Sequence, residues 1–144
     1  MGNVHTAKQH YLAVTGDVSN ELGAEASDTI VSANFFDMAN FDLVIGIGQL
    51  SSVASDQTVT LQLYEATDNT GGASQTLAGA TDTYVSVAGA SIDIVQAQAR
   101  GEDLSNGFQF VGVRVTTDDT DGSESASIFL VGGRARYKQA TLVQ

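Results

Sequence analysis

Apolar positions along this chain recur with a period of two, in short runs separated by small polar residues. The clearest run covers residues 58–64, where Val59, Leu61 and Leu63 alternate with Thr58, Thr60, Gln62 and Tyr64. Alternation of this kind marks a strand with one apolar face and one face bearing hydroxyl, amide or phenol groups. Just upstream, FDLVIGIG places Phe41, Leu43, Ile45 and Ile47 on one side and Asp42, Val44, Gly46 and Gly48 on the other. A loop over residues 51–56, with Val53 its one bulky apolar side chain, joins the two runs. The pattern predicts an antiparallel pair whose apolar faces lie in a core.

The remaining strands are shorter. Residues 28–36, DTIVSANFF, are β-branched and aromatic and predict a strand. Asp68-Asn69-Thr70-Gly71-Gly72 is a dense turn signal. The small, polar residues 73–80 read as a crossing between sheets. Residues 81–87 alternate, with Tyr84 or Val85 inward, and Ile92 and Ile94 share a face. Residues 97–107 read as a polar loop with one helical turn near 102–105, closed by Asn106-Gly107. In residues 108–117, Val111, Val113, Val115 and Thr117 oppose Phe108, Phe110, Gly112, Arg114 and Thr116. Residues 118–124, DDTDGSE, read as a hairpin loop, and 125–137 as the returning strand, bulged or bent at Gly132-Gly133.

Seven to eight short, mostly antiparallel strands with turn signals between them predict an all-β, single-domain β-sandwich or jelly-roll-like barrel. No apolar stripe of 3.6-residue period runs longer than one turn. The expected organisation is an N-terminal arm at 1–27, a β domain at 28–138 and a C-terminal tail at 139–144. In the arm, only Tyr11, Leu12, Ala13 and Val14 read as strand, ended by Gly16-Asp17. An arm of this kind is either mobile or held by a neighbouring subunit.

At 144 residues a single domain buries roughly 70% of its unfolded surface, enough for a core without covalent staples. With no cysteine, disulfides, thiol catalysis and thiolate metal sites are excluded. With no proline, the turns fall to the 15 glycines and to Asn, Asp and Ser. The net charge of −11 opposes binding to nucleic-acid phosphates. It favours solubility, or docking on a basic partner surface. No apolar run is long enough for a membrane span or a secretory leader.

Candidate chemistry is sparse. His5 and His10 both fall in the arm, with no nucleophile elbow and no metal-ligating spacing around them. Most aspartates sit at turns, where their side chains bond the backbone, and Asp42 and Asp93 form no evident catalytic pair. No phosphate-binding glycine motif occurs. Asp119, Asp121 and Glu124, with Asp118, are the one metal candidate, a loose calcium loop. It departs from an EF-hand, because Thr117 and Ile128 fall at the first and twelfth ligand positions. No cofactor and no enzymatic activity are expected. The C-terminal strand carries Arg134, Arg136 and Lys138 on one face, with Tyr137 opposite. These four, with Tyr11 and Leu12, are the candidate partner contacts, and residues 139–144 read as a strand available to a neighbour's edge.

The succession FFDMANFDLVIGIGQL, TVTLQLYEATDNTGGA, SIDIVQAQARGEDLSNGFQFVGVRV and GGRARYKQAT resembles small virion structural proteins of tailed double-stranded DNA phages. It is most like a capsid decoration (cement) protein, and the likeness covers residues 28–140. The resemblance implies a β-rich, often trimeric domain on the capsid exterior. Its partner would be the major capsid protein, whose capsomers it bridges. The alternatives are another virion β-domain (tail tube, head–tail joining or fibre-associated) and a carbohydrate-binding or adhesin-like β-sandwich. If the acidic loop holds calcium, EDTA will lower the melting temperature; an unchanged melting curve will remove that site.

Overall fold

The computed structural model describes residues 11–19, 28–31, 35–51, 53–87, 93–118 and 125–135. Among these, nine strands form two antiparallel sheets. They are β1 (Tyr11–Ser19), β2 (Asp28–Val31), β3 (Phe36–Asp37), β4 (Phe41–Ser51), β5 (Thr58–Ala66), β6 (Gln75–Val85), β7 (Asp93–Arg100), β8 (Phe110–Thr117) and β9 (Ser125–Ala135). One sheet runs β1-β9-β4-β7; the other runs β2-β8-β5-β6, with β3 added on β8.

The pairing follows from one long antiparallel ribbon. β1 pairs β9, β2 pairs β8, β4 pairs β7, and the β5–β6 hairpin is the tip. Winding the ribbon brings β4 beside β9 and β5 beside β8, which splits successive pairs between two sheets. With the two-residue β3 set aside, this is the strand order of a jelly roll. The expected all-β sandwich is therefore what the chain forms.

The winding overturns two local expectations. β4 and β5 are not an antiparallel pair; they lie in opposite sheets and face each other across the core. β8 and β9 are also in opposite sheets, so residues 118–124 connect the sheets instead of closing a hairpin. A third expectation fails in β6. Residues 75–80 do not cross between sheets but continue the strand through an irregularity at Gly79, whose φ is +77°. The Gln62 amide fills that irregularity, donating to the carbonyls of Leu77 (2.9 Å) and Ala80 (3.1 Å). β7 reaches Arg100, through residues expected as loop, because Ala97 and Ala99 supply its inward positions with little apolar bulk. The 3₁₀ turn Gly101–Asp103 follows directly. β1 runs on to Ser19, past Gly16-Asp17, since pairing with β9 supports it there.

Val59, Leu61 and Leu63 of β5 and Val111, Val113 and Val115 of β8 point inward, as their alternation predicts. From the other sheet come Val44, Leu50, Val95, Ala126, Ile128 and Leu130. Phe36 and Phe41 close one end, their ring centroids 4.9 Å apart. The inward face of β4 is the reverse of the expected one. Val44, Gly46, Gly48 and Leu50 are buried, while Leu43, Ile45 and Ile47 are only half-buried and stand on the outer face. The two glycines are sockets for the facing sheet. A Cβ on Gly46 would lie 2.5 Å from Leu63 Cδ2, and one on Gly48 would lie 2.7 Å from Val115 Cγ2.

Turn chemistry holds the ends. Asp68 Oδ1 accepts the N–H groups of Thr70 and Gly72, each at 2.9 Å. Phe35 is clamped beneath this turn, its N–H donating to Asn69 O at 2.9 Å. Overpacking the β4 sockets tests this arrangement. Gly46→Ala is expected to destabilise the fold by about 1–3 kcal/mol, measured by chemical denaturation. Ile47→Ala, which truncates an outward side chain, is expected to cost less.

Candidate interaction surface

The reversal of β4 places a half-buried apolar field on the outside of the β1-β9-β4-β7 sheet. Register across β9, β4 and β7 builds it row by row. Val131, Ile45 and Gln98 form one row, and Phe129, Ile47 and Gln96 the next. Gly133, Leu43 and Arg100 flank these on one side; Ser127, Gln49 and Ile94 flank them on the other. Leu43, Ile45, Ile47, Phe129 and Val131 are all half-buried, and none belongs to the core cluster. Ile94, at a corner, is 61% exposed. Gln49, Gln96, Gln98, Arg100 and Ser127 border the apolar centre on its β7 side and at its ends, and β1 flanks it beyond β9. An apolar centre with a polar rim is the anatomy of a protein–protein contact.

The neighbouring sheet edge is partly guarded. Two backbone N–H groups on the free side of β7 are taken by carboxylates: Gln96 N–H donates to Asp82 Oδ2 (3.0 Å) and Arg100 N–H to Asp103 Oδ2 (2.7 Å). The irregularity at Gly79 interrupts β6, the edge of the other sheet. Charged groups and kinks at sheet edges are common guards against edge-to-edge pairing.

The buried carboxylate of Glu65 is the group in the interior that most invites a catalytic reading. Its residue is 1% exposed. Gln75 Nε2 donates to Oε1 at 2.5 Å and Ser105 N–H to Oε2 at 2.6 Å. Desolvation pushes this carboxyl up. The hydrogen bonds from the Ser105 side chain, Gln75 and the Ser105 backbone outweigh it and hold the group below its ordinary value. A carboxylate held ionised, with both oxygens occupied, is a tie between β5, β6 and the 104–109 loop. It is poorly suited to act as a general base.

The residues singled out in the sequence are only partly brought together. Tyr11 and Leu12 lie in β1, where the Tyr11 Cα is opposite Gly133; Arg134 lies in β9. Arg136, Tyr137 and Lys138 fall outside the described residues, as do His5, His10 and the acidic group Asp119, Asp121 and Glu124. Among the described residues, no group of three or more His, Cys, Asp or Glu could hold a metal ion. The apolar field was the surface missed. Its signal was present in the continuous runs LVI of β4 and IFLV of β9, apolar at successive positions. Such runs mark a strand covered on both faces.

No family model and no curated protein sequence matches this chain. Among solved structures, it is similar to a chain of the infectious bursal disease virus Gx strain, with 13% identity and a TM-score of 0.47, covering 90% of this chain and 34% of that one. It is similar to a chain of broad bean stain virus, with 10% identity and a TM-score of 0.49, covering 92% and 94%. It is also similar to a non-crystalline cellulose specific carbohydrate-binding module, with 12% identity and a TM-score of 0.42, covering 85% and 73%. The chain spans about a third of the length of the infectious bursal disease virus chains it matches. These are distant likenesses in fold, and the functional reading rests on the chain's own residues.

The Glu65 tie has a pH signature. Because its folded-state value lies below the ordinary 4.5, its contribution is complete above that value and is lost as the pH falls through the lower folded-state value. Glu65→Gln is expected to lower stability at neutral pH by about 1–3 kcal/mol and to flatten the acid limb of a melting-temperature profile. An unchanged acid limb would contradict the assignment.

Proposed function

We propose that this chain is a non-enzymatic capsid decoration protein. It binds the outer surface of a phage head and stabilises the head by bridging capsomers. The observation that carries the reading is the apolar field of Leu43, Ile45, Ile47, Phe129 and Val131 on the outside of one sheet. A contiguous, half-buried apolar patch on the outside of a sheet is a mark of an interaction site. The major capsid protein is the proposed partner and the capsid exterior the proposed place, with a homotrimer as the expected assembly.

Three features support this reading. The jelly roll is an architecture that viral coat domains share with lectins and cupins. The order of segments resembles phage virion structural proteins. Glu65, the buried carboxylate, has both oxygens tied by Gln75 and Ser105 and serves the fold. The apolar field would supply affinity at roughly 25 cal/mol per Å² buried, before the costs of ordering are subtracted.

The reading predicts separable outcomes for two variants. Ile47→Asp, on the outer face, is expected to fold with a near-native melting temperature and to lose about ten-fold or more in occupancy of undecorated heads. Ser74→Asp, on an exposed turn away from the field, is expected to bind normally. Measured by quantitative electrophoresis of sedimented heads, undiminished occupancy by Ile47→Asp would overturn the proposed docking face. Failure of the unaltered chain to bind heads at all would overturn the decoration role.

A further inference from the structure

The opposite face of the molecule has a different chemistry. Outward positions on β5, β6 and β8 fall into three rows: Thr83–Thr60–Thr116, Thr81–Gln62–Arg114 and Thr76–Tyr64–Gly112. Thr58 and Val85 add a fourth, shorter row. The three full rows carry no carboxylate; Asp118, paired with Thr58 at the end of the face, is the nearest one along β8 and accepts the Thr58 N–H. Arg114 lies near the middle. Its guanidinium sits over the Tyr64 ring, 4.2 Å from the centroid. It takes part in no ion pair among the described residues, and its Nε is buried without a hydrogen-bond partner. A planar cation therefore rests over an aromatic ring, in no ion pair with an acid among the described residues.

We infer that this face binds a glycan bearing an isolated carboxylate, such as a uronic acid within an otherwise neutral oligosaccharide. Three points select that ligand. The guanidinium fork matches a carboxylate in shape and charge. Thr60, Thr76 and Thr83 place hydroxyl groups on strands about 4.8 Å apart, suited to sugar hydroxyls and unlike the apolar centre of a protein contact, while the Thr81 hydroxyl is already bonded to Leu61 O. The net charge of −11 opposes a polyanion at long range, so the site fits one acidic group among neutral ones. Arg114 holds the carboxylate, Tyr64 fixes the guanidinium plane, and Thr60 and Thr83 meet ring hydroxyls. The inference is independent of the head-binding reading, since it uses the other sheet.

The test is an amide-shift titration of the full chain with a glucuronic-acid-containing disaccharide. Its carboxyl-reduced neutral counterpart, sodium acetate and a short acidic peptide serve as separate probes. The inference expects shifts centred on Thr60, Gln62, Tyr64, Arg114 and Thr83. It expects affinity about ten-fold or more weaker for the neutral sugar. Arg114→Gln is expected to lose most of the binding. Thr60→Val with Thr83→Val leaves the guanidinium in place and is expected to weaken the sugar but not acetate. Absence of shifts at these residues, equal affinity for the neutral sugar, acetate binding as strongly as the disaccharide, or tighter binding of the peptide would each overturn it.

Discussion

The structure depends on two absent side chains. Gly46 and Gly48 sit on the inward face of β4, where Leu63 and Val115 of the opposite sheet come within a Cβ's reach. Interiors pack at crystal-like density, and the space available to a strand is set by what its neighbours project into it. Here β5 and β8 project leucines and valines at every inward position from Val59 to Leu63 and from Val111 to Val115. β4 meets them with glycine twice. Leu43, Ile45 and Ile47 of β4 then fall on the outer surface, since successive side chains of a strand point to opposite faces. The core and the docking field are two consequences of the same register.

Most of the architecture could be read from the sequence. Alternation in β5 and β8 identified their inward residues, and the turn signals at Asp68–Gly72 and Asn106-Gly107 marked real turns. Gly107 does adopt a positive φ of 93°. What resisted reading was pairing. Adjacent runs joined by a short loop suggest hairpins, but a wound ribbon sends alternate runs to different sheets. Local pattern does not encode that choice. The face of β4 was misread for a related reason. Apolar content favours Leu43, Ile45 and Ile47 inward, and the steric demand that reverses it comes from residues far away in the chain. The Arg114–Tyr64 pair was equally hidden, because it joins two strands nearly fifty residues apart.

The two outer faces divide the molecule's surface by chemistry. One sheet carries a half-buried apolar centre bordered by amides; the other carries threonines around the Arg114 guanidinium. The edge between them is guarded by Asp82 and Asp103, which take backbone donors that a foreign strand would need. The apolar face is the one proposed to dock on a protein surface, and the hydroxyl-bearing face is the one inferred to meet a sugar.

The most direct test of the account is which face of β4 meets solvent. The chain contains no cysteine, so an introduced thiol is the one reporter in the molecule. Single cysteines would be placed at Ile47 and at Val44, and maleimide labelling followed on the folded, dilute protein. The account predicts rapid labelling at position 47 and labelling at position 44 only after unfolding. The reverse pattern would return Leu43, Ile45 and Ile47 to the core and remove the docking field.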